Sequence, residues 1–246
     1  MNKTLLCLMI LMMFQPATAV AAGMQYSGVL QPGPFGTPVI SWTVLEAPDV
    51  PFELFFSGSG KWLAAKNSMM VFQVTEIGED VNGTLTLGNA TWKGKDTDIA
   101  KDLTLSIWGL TPWLPGLVVP VGNESFALLN QTAYQAASRV AGNYMNGTVQ
   151  SSFKEVTATG HAYLCMVLEY EQDAPAFGKA QKTRLAYDTV TGILVEGSTF
   201  YSFGQDYNLT IELQSVTYAG GLLLPIVAGV TVAAILAVVI IWTRRR

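Results

Sequence analysis

The sequence predicts a mainly β domain of the α+β class: an antiparallel meander sheet, open to curvature as a half-barrel, with one main amphipathic helix packed on it. Three observations predict it. Several short runs alternate apolar and polar residues between turn signals, one stretch is apolar at helical spacing, and the two termini carry apolar runs of a different kind.

The first 21 residues read as an export signal. Lys3 supplies the positive start, residues 5–14 are an unbroken apolar run, Gln15 and Pro16 break it, and Ala17, Ala19 and Ala21 are the small residues a signal peptidase needs. The run is shorter than the roughly 20 residues that span a bilayer, so removal after Ala19 or Ala21 is expected rather than anchoring.

Residues 22–221 form the expected exterior domain. Residues 39–46 alternate, and Met70, Phe72 and Val74 share one face of a run reaching Ile77. Asn82-Gly83 has the chemistry of a hairpin turn before Thr84-Leu85-Thr86-Leu87. Leu103, Leu105 and Ile107 predict another strand, followed by an irregular loop from Trp108 through Trp113.

Residues 124–141 break the alternation. Phe126, Leu129, Ala133, Ala137 and Val140 recur every three or four positions and so share a helical face; Asn123 is placed to cap the helix, Glu124 suits its positive end, and Gly142 closes it.

Four strands in succession are predicted after it. Residues 161–170 place Ala162, Leu164, Met166, Leu168 and Tyr170 on one face and His161, Tyr163, Cys165, Val167 and Glu169 on the other. Residues 182–188 and 193–203 flank Thr189-Val190-Thr191-Gly192, where the glycine can take the positive φ of a tight turn. Gly204-Gln205-Asp206 leads to a last strand over 207–216, five residues from the next apolar run.

That run, 222–242, has no charged residue and is long enough to cross a membrane as a helix. Trp242 is placed as an interfacial anchor, and Arg244, Arg245 and Arg246 in the basic tail 243–246 are the stop that stays on the cytoplasmic side. The expected product is a single-pass protein of the cell membrane with its N-terminal domain outside.

Charge and cysteine content narrow the function. The net charge is −4, but Lys3 and the three terminal arginines are 4 of the 14 basic residues while all 18 acidic ones lie between, leaving the exterior at −8. Such a surface repels nucleic acid, so no nucleic-acid partner is expected. Cys7 leaves with the signal, so Cys165 has no partner for an internal disulfide, and a domain of this size must stand on its apolar core.

Six Asn-x-Ser/Thr triplets fall in the exterior part. Asn82, Asn89, Asn123, Asn146 and Asn208 are candidate glycan acceptors. Asn130 falls near the apolar helix face and is expected to stay unmodified.

No residue set is assigned to catalysis, cofactor or metal. His161 is the only histidine. A Ser-His-Asp or Cys-His mechanism would need it as base, and the obvious nucleophile, Cys165, lies four strand residues away, roughly 13 Å at about 3.3 Å each. One His and one Cys cannot furnish a zinc site. Asp96, Asp98 and Asp102 read as an acidic loop with oxygen ligands for calcium but without an EF-hand pattern. Glu169, Glu171 and Asp173 alternate at a strand end. Residues 56–62, Phe-Ser-Gly-Ser-Gly-Lys-Trp, fail as a phosphate loop because Phe55 replaces the first glycine and Trp62 the hydroxyl residue.

The string Tyr187-Asp188-Thr189-Val190-Thr191-Gly192-Ile193-Leu194 is similar to a hairpin of many uncharacterised archaeal single-pass cell-surface proteins, which share the signal, the strand-rich exterior and the basic stop. That resemblance implies a cell-envelope location and no known active site. The order of elements also resembles the lipoprotein-carrier half-barrels, in which a curved sheet with helices on its concave side holds an acyl chain. Two non-enzymatic functions follow as expectations. One is a structural or protein-interaction role among envelope proteins at the lipid bilayer. The other is binding of an apolar ligand such as a lipid, with Met70, Phe72, Leu164, Met166 and Leu168 lining the pocket and Met69 and Met145 as further flexible candidates.

Overall fold

A computed structural model describes residue 30 and residues 36–47, 65–78, 80–103, 115–140, 147–172, 179–203 and 205–220. The expected signal peptide, the run 222–242 with its basic stop, the segments 56–62 and 104–114, and Met145, Asn146 and Asp173 lie outside these. No helix among the described residues is long and apolar enough to cross a membrane.

The chain makes nine strands and two helices among these residues: β1 Gly36–Glu46, β2 Met69–Ile77, β3 Val81–Leu87, β4 Ala90–Lys95, α1 Asp96–Leu103, α2 Asn123–Val140, β5 Gly147–Ala158, β6 His161–Gln172, β7 Lys182–Asp188, β8 Leu194–Phe203 and β9 Gln205–Gly220. All nine strands form one antiparallel sheet in the order β4-β3-β2-β1-β9-β8-β7-β6-β5, which does not close on itself. It is two meanders, β1 to β4 and β5 to β9, fused where β1 pairs β9.

Residues directly opposite in neighbouring strands point to the same side of a sheet. Trp42, Met70, Leu87 and Ala90 therefore form one row across β1 to β4, and Ile40, Phe72, Leu85 and Trp92 the next. The same face continues through Leu213 and Ile211 to Gly197, Leu185 and Leu168. This inner face holds most of the core.

The connection from β4 to β5 explains what covers it. These strands are the two edges of the sheet, so the chain between them must cross its whole width, and it does so over the apolar face. Helix α1 packs on β3 and β4, and α2 on β5 and β6. Between them, residues 117–119 lie as a strap against the β7–β8 connection: Leu194 donates its amide to the Leu117 carbonyl at 3.0 Å, and Val119 donates to Gly192 at 2.9 Å. Trp42 reaches past β9 to donate its indole N–H to the Leu194 carbonyl at 2.6 Å.

Several expectations are corrected. Asn82 and Gly83 are not a turn but part of β3, and the turn is at Gly78, whose amide reaches the Asp80 carbonyl. Gly83 serves close packing instead: a Cβ there would collide with the Phe72 ring. Leu103, expected to begin a strand, ends α1, because Ile99, Ala100 and Leu103 form a buried helical stripe behind the acidic first turn of Asp96 and Asp98. The acidic loop is therefore this helix. Asn123 is not the cap of α2; the Gly122 carbonyl accepts the first helical bond, from Phe126. Residues 217–220 are not a linker, since β9 stays paired with β1 as far as Gly220 opposite Gly36.

Strand β6 is also buried on both sides at its centre. Cys165 and Val167 are covered on the outer side together with Val156, Ala158 and Ala186. The tip of the β5–β6 hairpin is folded back over that face, with the Thr159 amide donating to the Glu212 carboxylate on β9 at 3.3 Å. The bend leaves Phe153 and Leu164, on its other side, 62% and 57% exposed.

Candidate functional site

The site is built where α2 meets the sheet's edge. Helix α2 turns Phe126, Leu129, Ala133 and Ala137 into the core, and this stripe lays its N-terminal half over β5 and β6. Phe126 meets Phe153 of β5 in an edge-to-face contact, ring centroids 6.1 Å apart and planes at 86°. Beside this pair lies a cleft of about 250 Å³. Helix α2 lines it with Asn123, Phe126, Ala127 and Asn130, and the sheet with Ser151, Ser152 and Phe153 of β5 and Met166 of β6, so polar and apolar groups are mixed.

Strand β5 is paired along all its length with β6, from Gly147 opposite Gln172 to Ala158 opposite His161. No described strand pairs with its other side. Its outward backbone groups and the cleft together make an amphipathic surface that can take main-chain hydrogen bonds and one or two side chains. The cleft is smaller than the roughly 300–1,000 Å³ of a typical drug-sized ligand site.

The middle of the inner face is filled. The cavity among Leu103, Leu117, Leu185, Leu194, Leu209 and Ile211 measures about 20 Å³, close to the space of one water-sized probe. Of the five residues expected to line an apolar pocket, Met70 and Phe72 sit in the core on β2, Met166 and Leu168 are buried on β6, and Leu164 is on the surface. Strands β2 and β6 are separated by β1, β9, β8 and β7, so the five are not gathered in one place. Met166 reaches the cleft. Phe126, Phe153 and Ser151 had no signal beyond a helical stripe and a polar strand.

The chemistry-bearing residues are placed apart from the cleft. Cys165 is buried opposite Asp188, and burial, with Asp188 adding to it, pushes its thiol up to about 12. His161 is exposed at the hairpin tip. The two form no nucleophile and base pair. Asp96 is 1% exposed; its carboxylate accepts the Val118 amide at 3.1 Å, and burial pushes it up to about 7. That bond holds the strap, as does Tyr187, whose hydroxyl donates to the Gly116 carbonyl at 2.8 Å. Among the described residues no group of three or more His, Cys, Asp or Glu is placed to hold a metal ion.

On the outer face, acidic residues alternate with basic partners across strands. Arg184 bridges Glu169 and Glu196, Lys154 reaches Glu169 at 3.3 Å, and Lys182 reaches Glu171 at 3.0 Å. Among the candidate glycan acceptors, Asn89 is exposed in the β3–β4 turn and Asn123 exposed at the start of α2. Asn82 and Asn208 are partly buried in strands, Asn208 donating to Glu46 at 2.7 Å. Asn130 is partly buried.

No family model, curated protein or solved structure matches this chain.

Proposed function

We propose that this chain is a membrane-tethered surface protein with a structural or protein-interaction role, and that an extended segment of a partner protein docks along β5. In this reading residues 1–21 direct export, residues 22–221 stand outside the cell as a β-rich domain curled as a half-barrel round its helices, and residues 222–242 hold it to the bilayer. Glycans on Asn82, Asn89, Asn146 and Asn208 belong to the same proposal, whereas Asn123, which lines the cleft, is left unmodified in it. The observation that carries the docking is the twelve-residue edge of β5, unpaired by any described strand, beside a cleft lined by both polar and apolar residues. A partner strand would add its main chain to that edge while alternate side chains enter the cleft. The net charge of −8 outside favours a neutral or basic protein segment over nucleic acid.

The second reading, binding of an apolar ligand such as a lipid, has its place in the same cleft, against Phe126, Phe153 and Met166. One experiment separates the two. A photo-crosslinking residue is placed at Phe153 in the full chain in living cells, with and without Ala127→Trp, which fills the cleft from an exposed helix position. Attachment to one defined protein species, lost on filling the cleft, is expected. Attachment to lipid would support the second reading instead, and attachment to neither would overturn both.

A further inference from the structure

We infer that the end of the sheet at which β9 finishes rests on the lipid bilayer, with Val190, Leu164 and Tyr218 in the headgroup region. The inference goes beyond the tether and rests on it.

The register fixes which parts of the molecule lie at that end. Strand β9 is still paired at Gly220, opposite Gly36, so a single residue, Gly221, separates the sheet from the uncharged apolar run that begins at Leu222. A sheet edge tied through one residue to a membrane span has little room to stand away from the surface: one residue reaches at most about 3.6 Å. Because neighbouring strands are antiparallel, the same end holds the β7–β8 turn, where Val190 is 62% exposed, the bend of β6 at Leu164, and the β2–β3 turn, where Asp80 is paired with Lys95 at 2.5 Å. The Thr189 amide donates to the Leu164 carbonyl at 2.9 Å, which ties the turn's backbone to the bend of β6. Val216 and Tyr218, exposed on β9, lie at or beyond the same level along the strands.

The chemistry of the turn suits a headgroup layer. Thr189-Val190-Thr191-Gly192 is uncharged, and the one carboxylate beside it, Asp188, is occupied by the Thr191 amide at 2.9 Å and the Thr191 hydroxyl at 2.6 Å. An exposed Val and Leu there would be taken out of water by acyl chains, and Tyr218 at an interface would place an apolar ring and a polar tip in the two media they prefer. An exterior of net negative charge points to uncharged or zwitterionic lipid rather than anionic lipid.

The test uses the full chain in phosphatidylcholine nanodiscs, in a Cys7→Ser background, with one spin label at Val190→Cys or at Asn89→Cys in the turn at the opposite end. Cys165 is buried and takes no label. Collision with oxygen reports lipid, and collision with a nickel chelate reports water. The label at 190 is expected to favour oxygen and the label at 89 the nickel chelate. If the chain enters the discs but both labels favour nickel, the docking is overturned and the tether stands. A label at 190 shielded from both reagents means a protein neighbour and also overturns it. If the chain does not enter the discs, the tether reading fails, and the docking fails with it.

Discussion

Phe126 of the helix and Phe153 of the edge strand stand edge to face at 6.1 Å and 86°, one ring buried and the other open to solvent. The pair pins α2 to the last strand of the sheet and forms one wall of the cleft. Because the two rings differ in burial, they separate packing from binding. Phe126→Ala is expected to cost about 3–5 kcal/mol through loss of a core side chain. Phe153→Ala is expected to cost about 1 kcal/mol, the size of an edge-to-face contact. Urea denaturation followed by tryptophan fluorescence measures both, and equal costs would contradict this placement.

Asp96 makes stability depend on pH in a direction opposite to that of most carboxylates. Burial pushes it from 3.8 up to about 7 in the folded chain, so the folded state holds this proton more tightly than the unfolded one. Its contribution is complete below about 3.8 and is lost as pH rises to about 7. Asp96→Asn keeps an acceptor for the Val118 amide and removes the titration. The variant's stability, measured by denaturation at pH 4 to 8, is expected to gain on that of the parent chain as pH rises; a constant difference would show that Asp96 is charged throughout.

Two turn glycines with similar backbone angles are expected to respond differently to alanine. Gly192 has φ +73° and a Cβ there would collide with the Val119 carbonyl, whereas Gly160 has φ +80° with open space around it. Gly160→Ala should cost about 1 kcal/mol for the left-handed backbone alone. Gly192→Ala adds the displacement of the strap, and its loss of thermal stability should be clearly the larger. Equal melting temperatures for the two variants would remove the strap from the account.

Burial of Cys165, with its thiol pushed up to about 12, predicts that the native chain resists thiol reagents at neutral pH and becomes reactive only on unfolding. A colorimetric thiol assay on the Cys7→Ser chain, with and without urea, checks this. Rapid reaction in the native state would show that the folded-back hairpin tip does not cover the outer face as described.

Much of the C-terminal meander was legible in the sequence because each of its signals was local. Lys182–Asp188 was expected residue for residue, and Gly192 takes the positive φ its turn required. The stripe from Phe126 to Ala137 likewise announced α2. Two features were hidden for physical reasons. Strand β5 carries Gln150, Ser151, Ser152, Lys154 and Glu155, since an edge strand with solvent on much of both faces needs no alternation. The pairing of β1 with β9 joins residues some 180 positions apart, as Gly36 with Gly220, and no local pattern encodes it. The cleft depends on that same long-range arrangement, because α2 reaches β5 only through the crossing from one sheet edge to the other. Gly83 misled for a related reason: the need to pass under the Phe72 ring and the need to turn both select glycine.

The claim on which the rest depends is that residues 22–221 stand outside the cell, tethered to its membrane. Labelling of Asn89→Cys in the Cys7→Ser background with a membrane-impermeant maleimide tests it directly, since Asn89 is exposed in a turn and the buried Cys165 gives no background. Intact cells are expected to label as fully as permeabilised ones, with the labelled chain sedimenting with the membranes. Labelling that appears only after permeabilisation would contradict the claim.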